Sequence, residues 1–398
     1  MILETIAALL SHDWAGLAIA AIVLAPALWL TRPARPLWMR VGAWGLVVVA
    51  TCLAAGATGH VVHMAGVHRA FPRPGKLVDV GGYRMHVLAE GESHGQATVV
   101  WMPGSHAAGY ALYHLHAAMR RDARSILIDR PGSGWSDPGP FPRTTAGEAE
   151  EVVTALARAG EQGPFVLVGH SFGGLLVANI ARRHPEIVAA VVLVDATPPD
   201  AINYAPPNPY LAAMRWDAMQ TTLCRLFGIH HDTIARLTGG DRDAEARRVG
   251  SIVAQRLGPQ LEAMESVEDS AAVSITDYSI FVELQRGGLG WENSVYDGEL
   301  GTLPVYLVAP VGIPGFDAMA RVMYEGGGGA GRLGPEAAFH ERLRQFWDGS
   351  RERYMHVSQH VERVYAAAGA SHNFPYEDPD FVIGVVRRVL AEHPPGSR

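Results

Sequence analysis

One stretch constrains this chain more than any other: Pro164-Phe-Val-Leu-Val-Gly169-His170-Ser171-Phe172-Gly173-Gly174, running into Leu175-Leu-Val-Ala-Asn-Ile-Ala181. A short apolar run ends in Gly-x-Ser-x-Gly, and helical spacing begins at once. That order predicts strand, sharp turn and helix, with Ser171 at the tip on a strained backbone. The flanking glycines fit a turn where a Cβ would meet the adjacent strand and helix. The helix that starts beside Ser171 aims unpaired N–H groups and its positive dipole end at the same point. A nucleophile and an oxyanion site are thus expected on one turn.

The rest of the chain repeats the alternation. Residues 77–88 read as two short strands about Gly81-Gly82. Residues 98–104, 124–129, 189–195, 303–309 and 362–368 read as further strands, mostly apolar, as strands covered on both faces are. Helical spacing falls over 110–119 and 145–159. It returns after Asp378, where Phe381, Val382, Val385, Val386, Val389 and Leu390 follow a 3.6-residue period. This is an α/β pattern, with a mostly parallel sheet and helices on both faces. Ligands in such sheets bind beyond the C-terminal strand ends. Ser171, Asp195 and His372 all stand at those ends.

Four motifs carry a resemblance: Gly169-His-Ser-Phe-Gly-Gly174, Asp129-Arg-Pro-Gly-Ser-Gly-Trp-Ser-Asp137-Pro, Leu193-Val-Asp195-Ala and Gly369-Ala-Ser-His372. With them the chain resembles the α/β-hydrolases of the single-serine, lidded kind, which include proline iminopeptidase-like and esterase-like enzymes. The likeness covers roughly residues 77–200 and 303–392. It implies Ser171 as nucleophile and His372, after the last strand, as general base. The acid has two candidates. Its usual location follows the run Pro304-Val-Tyr-Leu-Val-Ala309, but no acid stands near Ile313 and Asp317 comes late. A second location, the end of the strand after the nucleophile helix, holds Asp195 directly, and Asp195 is preferred. Asp129 reads as structural. The oxyanion hole is expected from the backbone N–H groups of Phe172 and Ser105. Pro103 stands where such enzymes usually carry a histidine. Epoxide hydrolases and haloalkane dehalogenases of this resemblance attack with an aspartate at the elbow, so Ser171 argues against their chemistry.

The first seventy residues have another character. Residues 14–30 and 41–59 carry no charge. At ~1.5 Å rise per residue, each is about long enough to cross a ~30 Å hydrocarbon core. Between them lie Arg32, Arg35 and Arg40 with no acid. The expectation is a membrane anchor over 1–69 with two transmembrane helices, its arginine loop cytoplasmic and the catalytic domain extracytoplasmic. Glu4 and Asp13 precede the first span with no Lys or Arg, which disfavours a cleaved signal peptide. The alternative is a pair of helices buried against a soluble domain. The core is then split into 70–197 and 302–398 by a helical cap over 198–301, far longer than a connection requires. Tyr204, Tyr210, Met214, Trp216, Phe227, Tyr278 and Phe281 are available to line that cap.

Other classes fall away. Net charge is −7, so no basic surface for nucleic acid is indicated. Cys52 and Cys224 are far apart and imply neither a disulfide nor a metal site. The pairs His114/His116, His230/His231 and His356/His360 lack a clustered third ligand, so no metal is expected. The glycine run at 326–331 reads as a mobile loop without a phosphate-binding pattern, and no cofactor is expected. The leading expectation is a serine hydrolase at a cell membrane, taking a small-molecule apolar acyl substrate. An acyltransferase or a small-peptide aminopeptidase could use the same triad. A non-catalytic ligand-binding protein on this scaffold is the alternative of another class.

Overall fold

The apolar runs become strands at the expected places. In the computed structural model, which describes residues 2–199, 209–229, 244–267, 272–286, 294–312, 316–326 and 329–394, they are β1 (Lys76–Asp79), β2 (Arg84–Glu90), β3 (Thr98–Met102), β4 (Ser125–Ile128), β5 (Phe165–His170), β6 (Val188–Val194), β7 (Val305–Ala309) and β8 (Val361–Tyr365). They form one eight-stranded sheet in the order β1-β2-β4-β3-β5-β6-β7-β8. β2 is antiparallel to both neighbours. From β4 to β8 all pairs are parallel.

The N-terminal segment departs from the expectation of two matched spans. It forms α1 (Ile2–Leu10), α2 (Ala15–Leu30) and α3 (Leu37–Ala70). Among the described residues, α3 alone is long and apolar enough to cross a membrane by itself. α2 passes only together with α1, across a bend of 114°. The reason is local. No proline interrupts residues 37–70, so α3 continues past Gly59 to a last turn with His68 and Arg69, where cations suit a helix C-terminus. α2 has only 16 residues, Pro26 among them.

Helices α4 (Tyr113–Met119), α5 (Thr145–Ala159) and α6 (Phe172–Arg183) follow in the core, and α15 (Pro379–Glu392) closes it. Thr144 caps α5 by accepting the Gly147 N–H at 2.9 Å, an arrangement worth about 1 kcal/mol. Gly160 ends that helix at φ +86°. Successive strand residues point to opposite faces. Val100, Met102 and Leu167 therefore pack with Val152 of α5 and Leu176 of α6. Val99, Trp101 and Val168 pack with Leu115 of α4 and Val386 of α15. Both faces are covered, which is why the central strands are apolar throughout.

Between β6 and β7 lie α7 (Pro209–Leu226), α8 (Ala244–Leu257), α9 (Pro259–Val267) and α10 (Ala272–Arg286). Leu211 and Met214 of α7 cluster with Ile280, Phe281 and Leu284 of α10, and with Phe172 and Leu175 of α6. These helices rest on the residue next to Ser171. Trp216 and Phe227, expected to line the cap, face outward instead. Tyr204, His230 and His231 lie outside the described residues.

Between β7 and β8 stand α11 (Phe316–Gly326), α12 (Ala330–Leu333) and α13 (Glu336–Arg353), joined by a cluster that includes Phe316, Ala320, Tyr324 and Phe339. Of the glycine run, Gly326 ends α11 and Gly331 lies in α12, while residues 327–328 lie outside the described residues. A short α14 (Phe374–Glu377) precedes α15.

Candidate active site

Ser171 sits between β5 and α6 at φ +54° and ψ −124°. A non-glycine residue there is strained by about 1–3 kcal/mol and persists only where its surroundings fix it. They do. Its N–H donates to the Val194 carbonyl at 3.0 Å, and its carbonyl accepts from Gly174 at 2.9 Å and Thr197 at 2.8 Å. The glycines answer to close approach. A Cβ on Gly169 would come 2.3 Å from the Gly173 carbonyl oxygen, and one on Gly173 would come 2.3 Å from that of Met102.

The loop after β3 lies against this turn. A Cβ on Gly104 would be 3.2 Å from the Ser171 Cβ, so Ser105 follows directly from a residue touching the serine. Phe172 opens α6, where a backbone N–H has no acceptor within the helix.

His372 follows β8, and its Nδ1 lies 2.7 Å from Asp195 Oδ2. A carboxylate can only accept, so the proton in this contact is on Nδ1, and Nε2 is the ring nitrogen left to face Ser171 chemistry. Asp195 stands at the end of β6 at φ +38°, its N–H held by the Val308 carbonyl at 2.7 Å. Its second oxygen accepts from Arg351 Nη2 at 2.5 Å. Burial pushes the Asp195 carboxyl up, but the hydrogen bond and charge of His372 and the charge of Arg351 hold it below the ordinary carboxylate value. Asp317, the other candidate acid, lies on α11 with its side chain 82% exposed, bonded to Arg344 at 3.2 Å. The carboxylate that meets His372 is that of Asp195.

The loop carrying His372 is braced from two sides. Ser371 donates from Oγ to Glu377 Oε1 at 2.8 Å and accepts the Asn373 N–H at 3.0 Å. His170 Nε2 donates to the His372 carbonyl at 3.0 Å, and the two rings lie 4.7 Å apart. Burial, followed by the charge of His372, lowers the His170 imidazole to about 3. His170 is therefore a neutral strut.

Several residues around this site had no local signal in the sequence. Arg351 is one, reaching Asp195 from the last turn of α13 while its Nη1 donates to the Gly312 carbonyl at 2.7 Å. Asp277, wholly buried on α10, accepts from Arg130 Nη2 at 2.7 Å. Its other oxygen accepts the backbone N–H of His106 and lies 3.2 Å from that ring's Nδ1. Arg130 also stacks 4.9 Å over the Phe172 ring. Asp129 is taken up by structure, accepting from His86 Nδ1, Gly109 N–H and Trp135 N–H. His114 and His116 are likewise engaged, by the Pro375 carbonyl and by Ser125 and Glu90.

The strand order and the serine turn agree with a match of residues 98–221 to the family model described as the alpha/beta hydrolase fold. The chain has the α/β-hydrolase fold. The chain is similar in structure to an epoxide hydrolase from Bacillus megaterium, with a TM-score of 0.51 and 17% identity, over 79% of this chain and 100% of that one. It is similar to an alpha/beta hydrolase fold protein from Chitinophaga pinensis, with a TM-score of 0.51 and 14% identity, over 80% and 98% of the two chains. In sequence it is 30% identical over 123 residues to the uncharacterized protein YbdG of Bacillus subtilis, covering 30% of this chain and 37% of that protein. It is 30% identical over 134 residues to an uncharacterized vacuolar membrane protein of Saccharomyces cerevisiae, covering 29% of this chain and 20% of that protein. The chain thus spans well under two thirds of the length of these curated relatives.

Proposed function

We propose that the chain is a membrane-anchored serine hydrolase that cleaves an ester, thioester or small amide of an apolar acyl group. The observation that carries this reading is the Asp195–His372 contact at 2.7 Å at the strand ends where Ser171 stands on a strained turn. Ser171 Oγ attacks the acyl carbonyl carbon while His372 Nε2 takes its proton. The Phe172 and Ser105 N–H groups hold the oxyanion, each such donor being worth about 10²–10³ in rate. Collapse breaks the bond to the leaving group, which leaves with the proton from His372. Water then attacks the acyl-enzyme, His372 takes its proton, and Ser171 Oγ recovers one as the acid departs. Leu211, Met214 and Phe281 pack on Phe172, so the cap meets the serine turn through an apolar layer, a setting that suits an apolar acyl group. Epoxide hydrolase chemistry is not carried over from the structural neighbour, since a serine occupies the elbow.

The anchor is the N-terminal hairpin. At ~1.5 Å per residue, α3 exceeds a ~30 Å hydrocarbon core and lifts the hydrolase domain clear of it. Leu37, Trp38, Val41, Trp44, Val48 and Val49 are exposed along its first half, as a lipid-facing surface would be. The yeast relative is named as a vacuolar membrane protein, which accords with this. Arg32 and Arg35 between α2 and α3, with Arg40 in the first turn of α3, support a cytoplasmic side for that loop and the opposite side for the catalytic domain.

The reading is tested with a fluorophosphonate probe and p-nitrophenyl esters of rising chain length, wild type beside Ser171→Ala. Labelling and turnover that vanish together in Ser171→Ala are expected. No labelling and no turnover in the wild type would sink the hydrolase. Acyl transfer to an added alcohol in preference to water makes it an acyltransferase, and release of an N-terminal residue from small peptides makes it an aminopeptidase. Protease accessibility of the domain in intact cells tests the orientation.

A further inference from the structure

The two faces of α7 are both apolar, but only one is covered. Leu211, Met214 and Ala218 are buried toward α10 and α6. On the other side Trp216, Met219, Leu223 and, just past the helix, Phe227 are 61%, 46%, 51% and 44% exposed. Their spacing of three to four residues aligns them as one stripe. A contiguous stripe of this kind marks an interaction surface, unlike singly scattered apolar residues.

The end of α7 meets the N-terminal hairpin. A Cβ on Gly56 of α3 would fall 2.2 Å from the Phe227 carbonyl oxygen, and one on Gly16 of α2 would fall 2.9 Å from that of Leu226. Thr222 and Arg225 there border a small polar cavity with Asp13 and His60, whose side chains lie 3.1 Å apart. Beyond this polar level, residues 41–55 are uncharged. The stripe of α7 therefore begins where the apolar surface of α3 ends. α1, bent 114° from α2 at this same end, exposes Ile2, Leu3 and Ile6 on one face. Two apolar helix faces thus flank the point where the hairpin emerges.

We propose that the exposed stripe of α7 rests in the interfacial region of the bilayer, in the leaflet nearest the hydrolase domain. This rests on the membrane-anchor reading. An apolar face bordered by Arg215 and Asp217 matches the boundary between headgroups and acyl chains. The covered face of the same helix packs on Phe172, so the cap couples the bilayer surface to the serine turn. An acyl substrate dissolved in that leaflet reaches the site along the cap without crossing bulk water.

The test uses the full chain in vesicles of phosphatidylcholine and phosphatidylglycerol. In a background of Cys52→Ser and Cys224→Ser, a bimane fluorophore is attached at Leu223→Cys or, separately, at Val49→Cys. Each variant must first melt as the wild type does. Lipids carrying a nitroxide near the headgroup are expected to quench Leu223→Cys, and lipids carrying it deep in the chain to quench Val49→Cys. Quenching at Val49→Cys without any at Leu223→Cys overturns the proposal and leaves the anchor standing. Quenching at neither position overturns the anchor and the proposal together. Self-quenching of Leu223→Cys with protein density, without nitroxide quenching, assigns the stripe to a second copy and overturns the proposal.

Discussion

The Asp277 carboxylate of α10 accepts the backbone N–H of His106, one residue past the candidate oxyanion donor Ser105. Helix α10 therefore fixes the loop that carries this candidate donor. Asp277 also meets Arg130 in a fully buried network in which Arg130 contacts Glu148 as well. Removing Asp277 from it leaves buried donors unpaired, at a cost of about 1–3 kcal/mol for each. Asp277→Ala should lose stability of that order in urea unfolding. Asp277→Asn keeps an acceptor for the His106 N–H and should retain both folding and kcat far better, whereas Asp277→Ala frees the donor loop and should lose up to about 10²-fold in kcat with little change in KM. Unchanged kcat in the folded Asp277→Ala would leave the residue a purely structural one.

Asp195 and Asp317 are separated by a simple comparison. Asp195→Asn reverses the hydrogen bond that sets the His372 tautomer, and loss of about 10⁴ in kcat is expected, as for other triad acids. Asp317→Asn removes one exposed pair with Arg344, worth at most about 1 kcal/mol, and should leave ester turnover unchanged. The reverse pattern would move the acid to Asp317.

Much of this site was legible because its signals are local. A strand, Gly169-x-Ser171-x-Gly173 and a helix are neighbours in sequence, and steric demand ties them together. The strands were legible because both faces are covered, so their composition is apolar whatever packs on them. Arg351 and Asp277 were not, since their partners lie 156 and 171 residues away and charged residues on amphipathic helices usually face water. Trp216 and Met214 were indistinguishable as candidate cap lining. Only the packing of α7 on α10 decides which one is covered. The length of α3 was missed because a charge-free window stops at His60, whereas the helix stops only where the backbone turns after Ala70.

His170 makes stability depend on pH. Its folded value is about 3 against an ordinary 6.5. Between those values the unfolded chain binds a proton that the folded chain does not. Stability should therefore fall as pH drops through this window, with a slope of up to about 1.4 kcal/mol per pH unit from this group. Asp195 adds loss only at lower pH, because its folded value lies below the ordinary one: its contribution is present above the unfolded value and fades as pH falls through the folded one. His170→Asn should flatten the slope between pH 6.5 and about 4 in urea titrations. An unchanged slope would assign the acid sensitivity to other groups, of which His114, lowered by burial to about 4, is the first to replace.

Arg351 shares the charge of Asp195, and that sharing should be visible in the pH dependence of stability. With Arg351 in place, Asp195 Oδ1 is bonded to a cation and Oδ2 to His372. The charge of Arg351 helps to hold the Asp195 carboxyl below its ordinary value. In Arg351→Met the folded value rises toward the unfolded one. The stability that Asp195 contributes above the unfolded value should therefore shrink, and the acid end of a urea titration should flatten. Arg351→Lys keeps the charge but not the two-pronged grip on Asp195 and the Gly312 carbonyl. It should hold the acid end near its original form while kcat falls through looser alignment. If Arg351→Met and Arg351→Lys lose rate equally with no change at the acid end, Arg351 acts by holding the Gly312 loop and not through the charge of Asp195.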